Sequence, residues 1–280
     1  MLKSEVFIFS SSSENGALNK STNNDEFSVQ LTNPIFLPEN AQNARLEIVT
    51  CNIWNSSPNI TSLNNKFVIK DPNGTHTIYI ESGLYDYESL FSQMALQFNN
   101  KDTEPNLYWR FEDMFKFVGN YSTQKLSIEF LYLTNAGLNT IEIIWNQSTI
   151  TSLLGFTNSS LTRPVKLSTP SVNYSITSAT YAKFNTYNSF LIQSDIVSAG
   201  IAINNNYNNI IGQVPIPPDS LGTLINFEAG PKNIFAMCSN LVGIQNAKYQ
   251  IRFKVTDENN GNLIFPDDFT FCVMISWYEQ

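Results

Sequence analysis

The stretch that most constrains this chain is residues 248–278. Tyr249, Ile251, Phe253 and Val255 alternate with Gln250, Arg252 and Lys254. After Asp257-Glu258-Asn259-Asn260-Gly261-Asn262, a second alternating run carries Phe269, Phe271, Val273, Ile275 and Trp277. Side chains on a strand point to opposite faces with period two, so each run has one apolar face. Two such runs around an Asn/Gly turn predict an antiparallel pair. The second run ends in Trp277 and Tyr278, which predicts a strand tied into a sheet rather than a loose tail. The class that follows is β-rich, with this last strand closing the fold.

The rest of the chain extends the pattern. Residues 1–25 read as an N-terminal arm, flexible over the Ser/Asn-rich stretch 9–25. Strands are predicted at Phe27–Leu31 and Leu46–Ile53, and then at 66–70 and 77–80 around the turn Pro72-Asn73-Gly74. One strong helix follows. Asp86 is its N-cap, and Tyr87, Leu90, Phe91, Met94, Ala95 and Phe98 fall at helical spacing. Further strands are predicted at 126–132, 141–145, 187–197, 209–216, 223–228, 248–256 and 268–278. The strands on either side of the middle block are too few for a sandwich on their own, but together they supply about eight, as a jelly roll needs. The expected fold is mainly β. A single jelly-roll sandwich from residues 26–64 and 161–280 is interrupted by an α+β insertion at 65–160.

Composition excludes several functions. Charged residues are 14% of the 280, against roughly 25% in an average soluble protein. No run approaches the ~20 apolar residues of a membrane helix, so no membrane span is expected. The polarity comes from Asn, Ser and Thr, which favour turns and strand edges. The net charge of −8, with no basic stripe, argues against binding nucleic acid by phosphate neutralisation. The start, Met1-Leu2-Lys3-Ser4-Glu5, lacks a signal-peptide apolar region. Cys51, Cys238 and Cys272 are odd in number and widely spaced, and read as free thiols in a reducing compartment. The N-x-S/T sequons at Asn55, Asn59, Asn73, Asn120, Asn146 and Asn158 are expected by chance in so Asn- and Ser-rich a chain.

Candidate chemistry is sparse. His76, the one histidine, sits beside Gly74-Thr75 with no orienting partner or nucleophile evident nearby, and reads as a turn-side residue. The acidic neighbours Asp25-Glu26, Glu112-Asp113 and Asp267-Asp268 point to opposite faces if on strands, which argues against a shared site. A distant pair would still serve as glycosidase acid and base. Asp257-Glu258-Asn259-Asn260-Gly261 lacks the ligand alternation and terminal Glu of a calcium loop and reads as a hairpin turn. Most aromatic residues lie on the regular face of a strand and read as core. Trp54 and Trp109 fit the alternation less well and are the candidates for exposed surface. No catalytic residue, cofactor or metal ligand is assigned, and the chain reads as a non-enzyme.

Ordered blocks carry a resemblance. Phe27-Ser-Val-Gln-Leu-Thr-Asn-Pro-Ile-Phe-Leu37, Ala44-Arg-Leu-Glu-Ile-Val-Thr-Cys-Asn-Ile53 and Thr77-Ile-Tyr-Ile-Glu-Ser-Gly-Leu-Tyr-Asp-Tyr-Glu-Ser-Leu90 come first. Leu153-Leu-Gly-Phe156, Ser194-Asp-Ile-Val197, Ile210-Ile-Gly-Gln-Val-Pro-Ile216, Arg252-Phe-Lys-Val-Thr-Asp257 and Phe269-Thr-Phe271 follow. In order and spacing, over most of residues 27–278, they resemble the penton (minor capsid) proteins of virophages and Polinton/Maverick-like viruses of the double-jelly-roll lineage. The resemblance implies a homopentamer at each fivefold vertex of an icosahedral capsid, assembled in the host cytoplasm. Its neighbours would be trimeric double-jelly-roll major capsid proteins. It also implies that the insertion faces outward, toward a host surface or giant-virus fibres. Two other classes stand beside it: a carbohydrate-binding or adhesin-type jelly roll such as a fibre head, and a glycan-active enzyme.

Overall fold

Strand alternation decides the architecture. The computed structural model describes residues 1–71, 74–101, 110–120, 122–131, 141–162, 174–184, 187–203, 206–207, 209–217, 220–230 and 233–280. The chain divides into two units, Met1–Ser57 with Tyr187–Gln280, and Pro58–Thr186. In chain order the first unit opens with β1 (Leu2–Ser10), β2 (Ala17–Leu18), β3 (Glu26–Ile35) and β4 (Ala41–Trp54). The second unit holds β5 (Lys66–Asp71), β6 (Gly74–Tyr79), α1 (Tyr87–Lys101), α2 (Phe111–Met114), β7 (Phe115–Asn120), β8 (Lys125–Phe130), β9 (Glu142–Ile143) and β10 (Tyr174–Thr177). The first unit then resumes with β11 (Ser189–Ser194), β12 (Ala202–Ile203), β13 (Asn206–Tyr207), β14 (Ile210–Pro215), β15 (Leu224–Glu228), β16 (Ala236–Met237), β17 (Lys248–Thr256) and β18 (Thr270–Glu279).

One sheet of the first unit has the order β1-β18-β4-β15, with β16 also pairing β4. The other runs β14-β11-β17-β3-β2. Lettering the eight main strands B to I along the chain gives B-I-D-G facing C-H-E-F, which is the jelly-roll arrangement. The second unit occupies the single connection between the third and fourth of these strands, β4 and β11. Alternation fills the sandwich from both sheets. Phe27 and Phe253 come from one, Phe9, Phe271, Val273 and Ile275 from the other, and all are buried. Their rings meet across the layers, with centroids 4.6 Å apart for Phe9–Phe253 and 4.9 Å for Phe253–Phe271.

That contact corrects the expected antiparallel pair at 248–278. β17 pairs with β3 and β11, while β18 pairs with β1 and β4, so the two runs face each other from opposite sheets. The connection from Asp257 to Phe269 is too long for a tight hairpin, and it lets the chain arch from one sheet to the other. The expected arm at residues 1–25 is corrected too. Leu2–Ser10 is a strand in unbroken register with Tyr278–Thr270. Residues 11–24 are pinned at Asp268, which accepts from Lys20 Nζ at 2.7 Å and from Asn24 Nδ2 at 3.3 Å.

The second unit contains two three-stranded sheets, β10-β8-β7 and β6-β5-β9. Its core gathers Phe67, Ile69, Leu90, Met94, Phe98, Phe111 and Trp145. Asp86 caps α1 as the sequence predicts, its Oδ1 accepting from the Ser89 backbone N–H at 2.7 Å. Leu90, Met94 and Phe98 are buried, and the half-buried Phe91 lies between Phe111 and Phe117. The boundaries expected at 65 and 160 shift outward because flanking segments bond into this unit. Ile60 and Gly83 exchange both backbone hydrogen bonds at 3.0 Å, and Tyr174–Thr177 pairs with β8.

Candidate functional site

His76 has a partner that the linear sequence hides. In the β5–β6 hairpin its Nε2 lies 3.0 Å from Asp71 Oδ1, five residues back, and Asp71 is buried. The same oxygen accepts from the Gly74 backbone N–H at 3.0 Å. The imidazole also meets the Phe98 ring in a T-shaped arrangement, with centroids 5.5 Å apart. This environment ties the paired strands β5 and β6 to the core beneath them, with Asp71 bonded to both Gly74 and His76 of β6.

The acidic pairs are separated in the same way. Asp25 accepts from Ser21 Oγ at 2.6 Å, while its neighbour Glu26 accepts from Arg252 Nε at 2.6 Å. Glu112 accepts from Asn99 Nδ2 at 2.9 Å, a bond that holds its carboxyl below the usual range. Asp113 takes the Arg110 backbone N–H at 3.2 Å, closing the first turn of α2. Asp268, bonded first of all to Lys20, is held low as well. Five of the six carboxylates are thus spent on separate anchors, and Asp267 accepts from Asn24 Nδ2 only through its backbone carbonyl, at 3.0 Å.

Asp257 turns its carboxylate onto its own loop, Oδ1 accepting from the Asn259 and Gly261 backbone N–H groups at 2.8 and 2.6 Å. Such an Asx-type turn uses the oxygen a cation would need. Among the described residues, no three His, Cys, Asp or Glu side chains come together as a metal cage requires. Nor is any helix among them long and apolar enough to cross a membrane. Cys51 and Cys238 are buried free thiols, and burial pushes each up to about 12. Cys272 is half-buried. Trp54 is exposed at the end of β4, where it pairs with the equally exposed Leu224 of β15. Trp109 lies outside the described residues.

What the geometry offers is surface. In the first unit, large apolar side chains stand exposed on the sheet of β1, on the connections and at strand ends, among them Leu2, Val6, Ile8, Phe235 and Ile244. Phe235 carries the Arg45 guanidinium 4.3 Å above its ring. This surface can bind by area and shape, since aromatic residues are enriched in interface cores while most charged residues are depleted there.

No family model matches the sequence, and no curated protein is similar to it. Among solved structures, the chain is similar to the mavirus penton protein, with 10% identity and a TM-score of 0.49 over 99% of this chain and 100% of that one. It is also similar to a chain of the Sputnik virophage particle, with 16% identity and a TM-score of 0.46 over 97% of each.

Proposed function

We propose that this chain is a structural virion protein: a penton that assembles as a homopentamer at the fivefold vertices of an icosahedral capsid, seated among trimeric major capsid proteins. One observation carries the reading. Most of the ordered blocks that resemble pentons lie, in chain order, on strands of a single B-I-D-G/C-H-E-F sandwich. They fall on β3 and β4, then β14, β17 and β18. The intervening Thr77–Leu90 and Leu153–Phe156 blocks lie in the unit between β4 and β11. A charged fraction of 14% supports it, because surface destined for burial sheds charge. In this reading the unit at residues 58–186 is the outward element, available to a host surface or to fibres.

A fivefold ring is a heterologous interface that closes on itself. Mass measurement of the purified chain across a concentration series tests the ring, with a fivefold mass expected. Cryo-electron microscopy of particles made with and without the chain tests its place. Density at the vertices should vanish without it. A different protein at the fivefold positions would overturn the assignment. Binding of a glycan by the monomer would favour the fibre-head alternative.

A further inference from the structure

The two faces of β1 differ in a way the sandwich does not need. Ser11 N–H donates to Phe269 O at 2.9 Å and Glu279 N–H to Met1 O at 3.1 Å, and the register between these points is unbroken. In an antiparallel ladder, bonded and non-bonded pairs alternate. Lys3, Glu5, Phe7 and Phe9 therefore bond across to β18. Leu2, Ser4, Val6, Ile8 and Ser10 turn their N–H and C=O groups to the open side of the sheet. Their side chains share the outer face, where Ile8 is 78% and Val6 59% exposed. Every second residue of β18 from Thr270 to Tyr278 continues that face, and none of them is charged.

Among the described residues, the other edges of the two sandwich sheets are blunted. β14 ends in Pro215, which has no N–H to offer. β3 is partly covered by β2, and β15 is five residues ending in Glu228. Among the described edge strands of the first unit, β1 alone runs nine or more residues without bulge or proline, and its charged side chains, Lys3 and Glu5, lie on the face opposite Val6 and Ile8, which leaves an open edge of roughly 30 Å. Sheets protect such edges because they invite pairing. We infer that the open edge of β1, with the uncharged outer face of β1 and β18, is the surface on which a neighbouring copy of this chain seats. This deepens the pentamer reading and rests on it. Charge selects a copy as the occupant: each chain carries −8, so copies repel unless they meet where neither presents charge. A basic partner would be met by acidic side chains, and this face has none.

Cys272 provides a built-in reporter. It lies on this face beside Ile8, while Cys51 and Cys238 are buried and silent. The experiment uses the full chain as wild type, Ile8→Asp, Val6→Asp and the neutral control Ile8→Ser. Mass is measured against concentration, and thiol reactivity toward a maleimide is followed in the same samples. Expected is a wild-type oligomer whose Cys272 reacts roughly tenfold or more slowly than in the dissociated chain. The Asp variants should associate about a hundredfold more weakly, with Cys272 open, and Ile8→Ser should fall between. Silent Cys51 and Cys238 in every variant certify the fold. Wild-type and Asp variants that associate equally, with Cys272 reactive throughout, would overturn this surface and leave the pentamer standing. A wild type that stays monomeric at all concentrations would overturn the pentamer itself.

Discussion

Asn59 closes the neck of the second unit, and its removal should open that unit alone. Its Nδ2 donates to Tyr85 O at 2.6 Å and to Phe184 O at 2.9 Å, and its Oδ1 accepts from the Tyr85 N–H at 2.9 Å. Tyr85 follows β6, and Phe184 lies near the end of the unit. One side chain, 3% exposed, thus ties the start of the unit to its end through backbone groups. Asn59→Ala removes three hydrogen bonds and leaves their partners with restricted access to water. At a net value of about 1 kcal/mol each the loss is roughly 3 kcal/mol. The same three bonds hold only the second unit, so hydrogen exchange should locate the damage. Amide protection in β5, β6 and α1 should fall by about two orders of magnitude, while β17 and β18 keep theirs. A loss below about 0.5 kcal/mol, the scale of an ordinary surface substitution, would refute the reasoning. So would equal loss of protection in both units.

Phe271→Ala should cost about 3–5 kcal/mol in denaturant unfolding, because a buried ring lying 4.9 Å from Phe253 and 5.9 Å from Phe9 leaves a cavity. A value near zero would place it outside the core. Asp86→Ala should cost about 1 kcal/mol through loss of the α1 cap, and Asp86→Asn should restore most of it. Asp268 is held below its ordinary 3.8 by Lys20. Its contribution is therefore present above that value and lost as pH falls through the lower folded one. With the carboxylate 43% exposed, Asp268→Asn should cost less than about 1 kcal/mol at pH 7 and nothing in strong acid, read from melting temperatures across a pH series.

Most strands were legible because period-two alternation is a local property. Phe253, Val255, Phe271 and Val273 announce strands in the linear sequence, and all four are core. Their partners were not legible. Which sheet a strand joins depends on the connection, and Asp257–Phe269 looked like a hairpin only because its Asn/Gly turn lies close to β17. The helix at 87–101 was readable, cap included, since capping and helical spacing act within a few residues. The Ser/Asn-rich stretch 9–25 read as loose because its anchor, Asp268, is some 250 residues away by sequence number. His76–Asp71 could have been found, since strands meeting at Pro72-Asn73-Gly74 bring positions 71 and 76 together. Asn59 gave no signal beyond a sequon.

The distance in sequence between β1 and β18 has a consequence for when any outer face can be used. Leu2–Ser10 pairs along its whole length with Tyr278–Thr270 and, among the described residues, with no other strand. Before residues 270–279 are in place, β1 has no ladder to join and Phe7 and Phe9 have no sheet beneath them. Closing so long a loop carries an entropic cost that must be met before the contact gives anything back. The B-I-D-G sheet therefore completes late. Phe9 then meets Phe253 and Phe271, fixing both layers at once. The apolar edge at Val6 and Ile8 forms as a flat, registered surface only in that final state. A chain interrupted before β18 keeps the hydrophobic residues but not the registered surface, so the self-contact proposed above should be lost from it, as mass measurement of a chain ending before residue 270 would show.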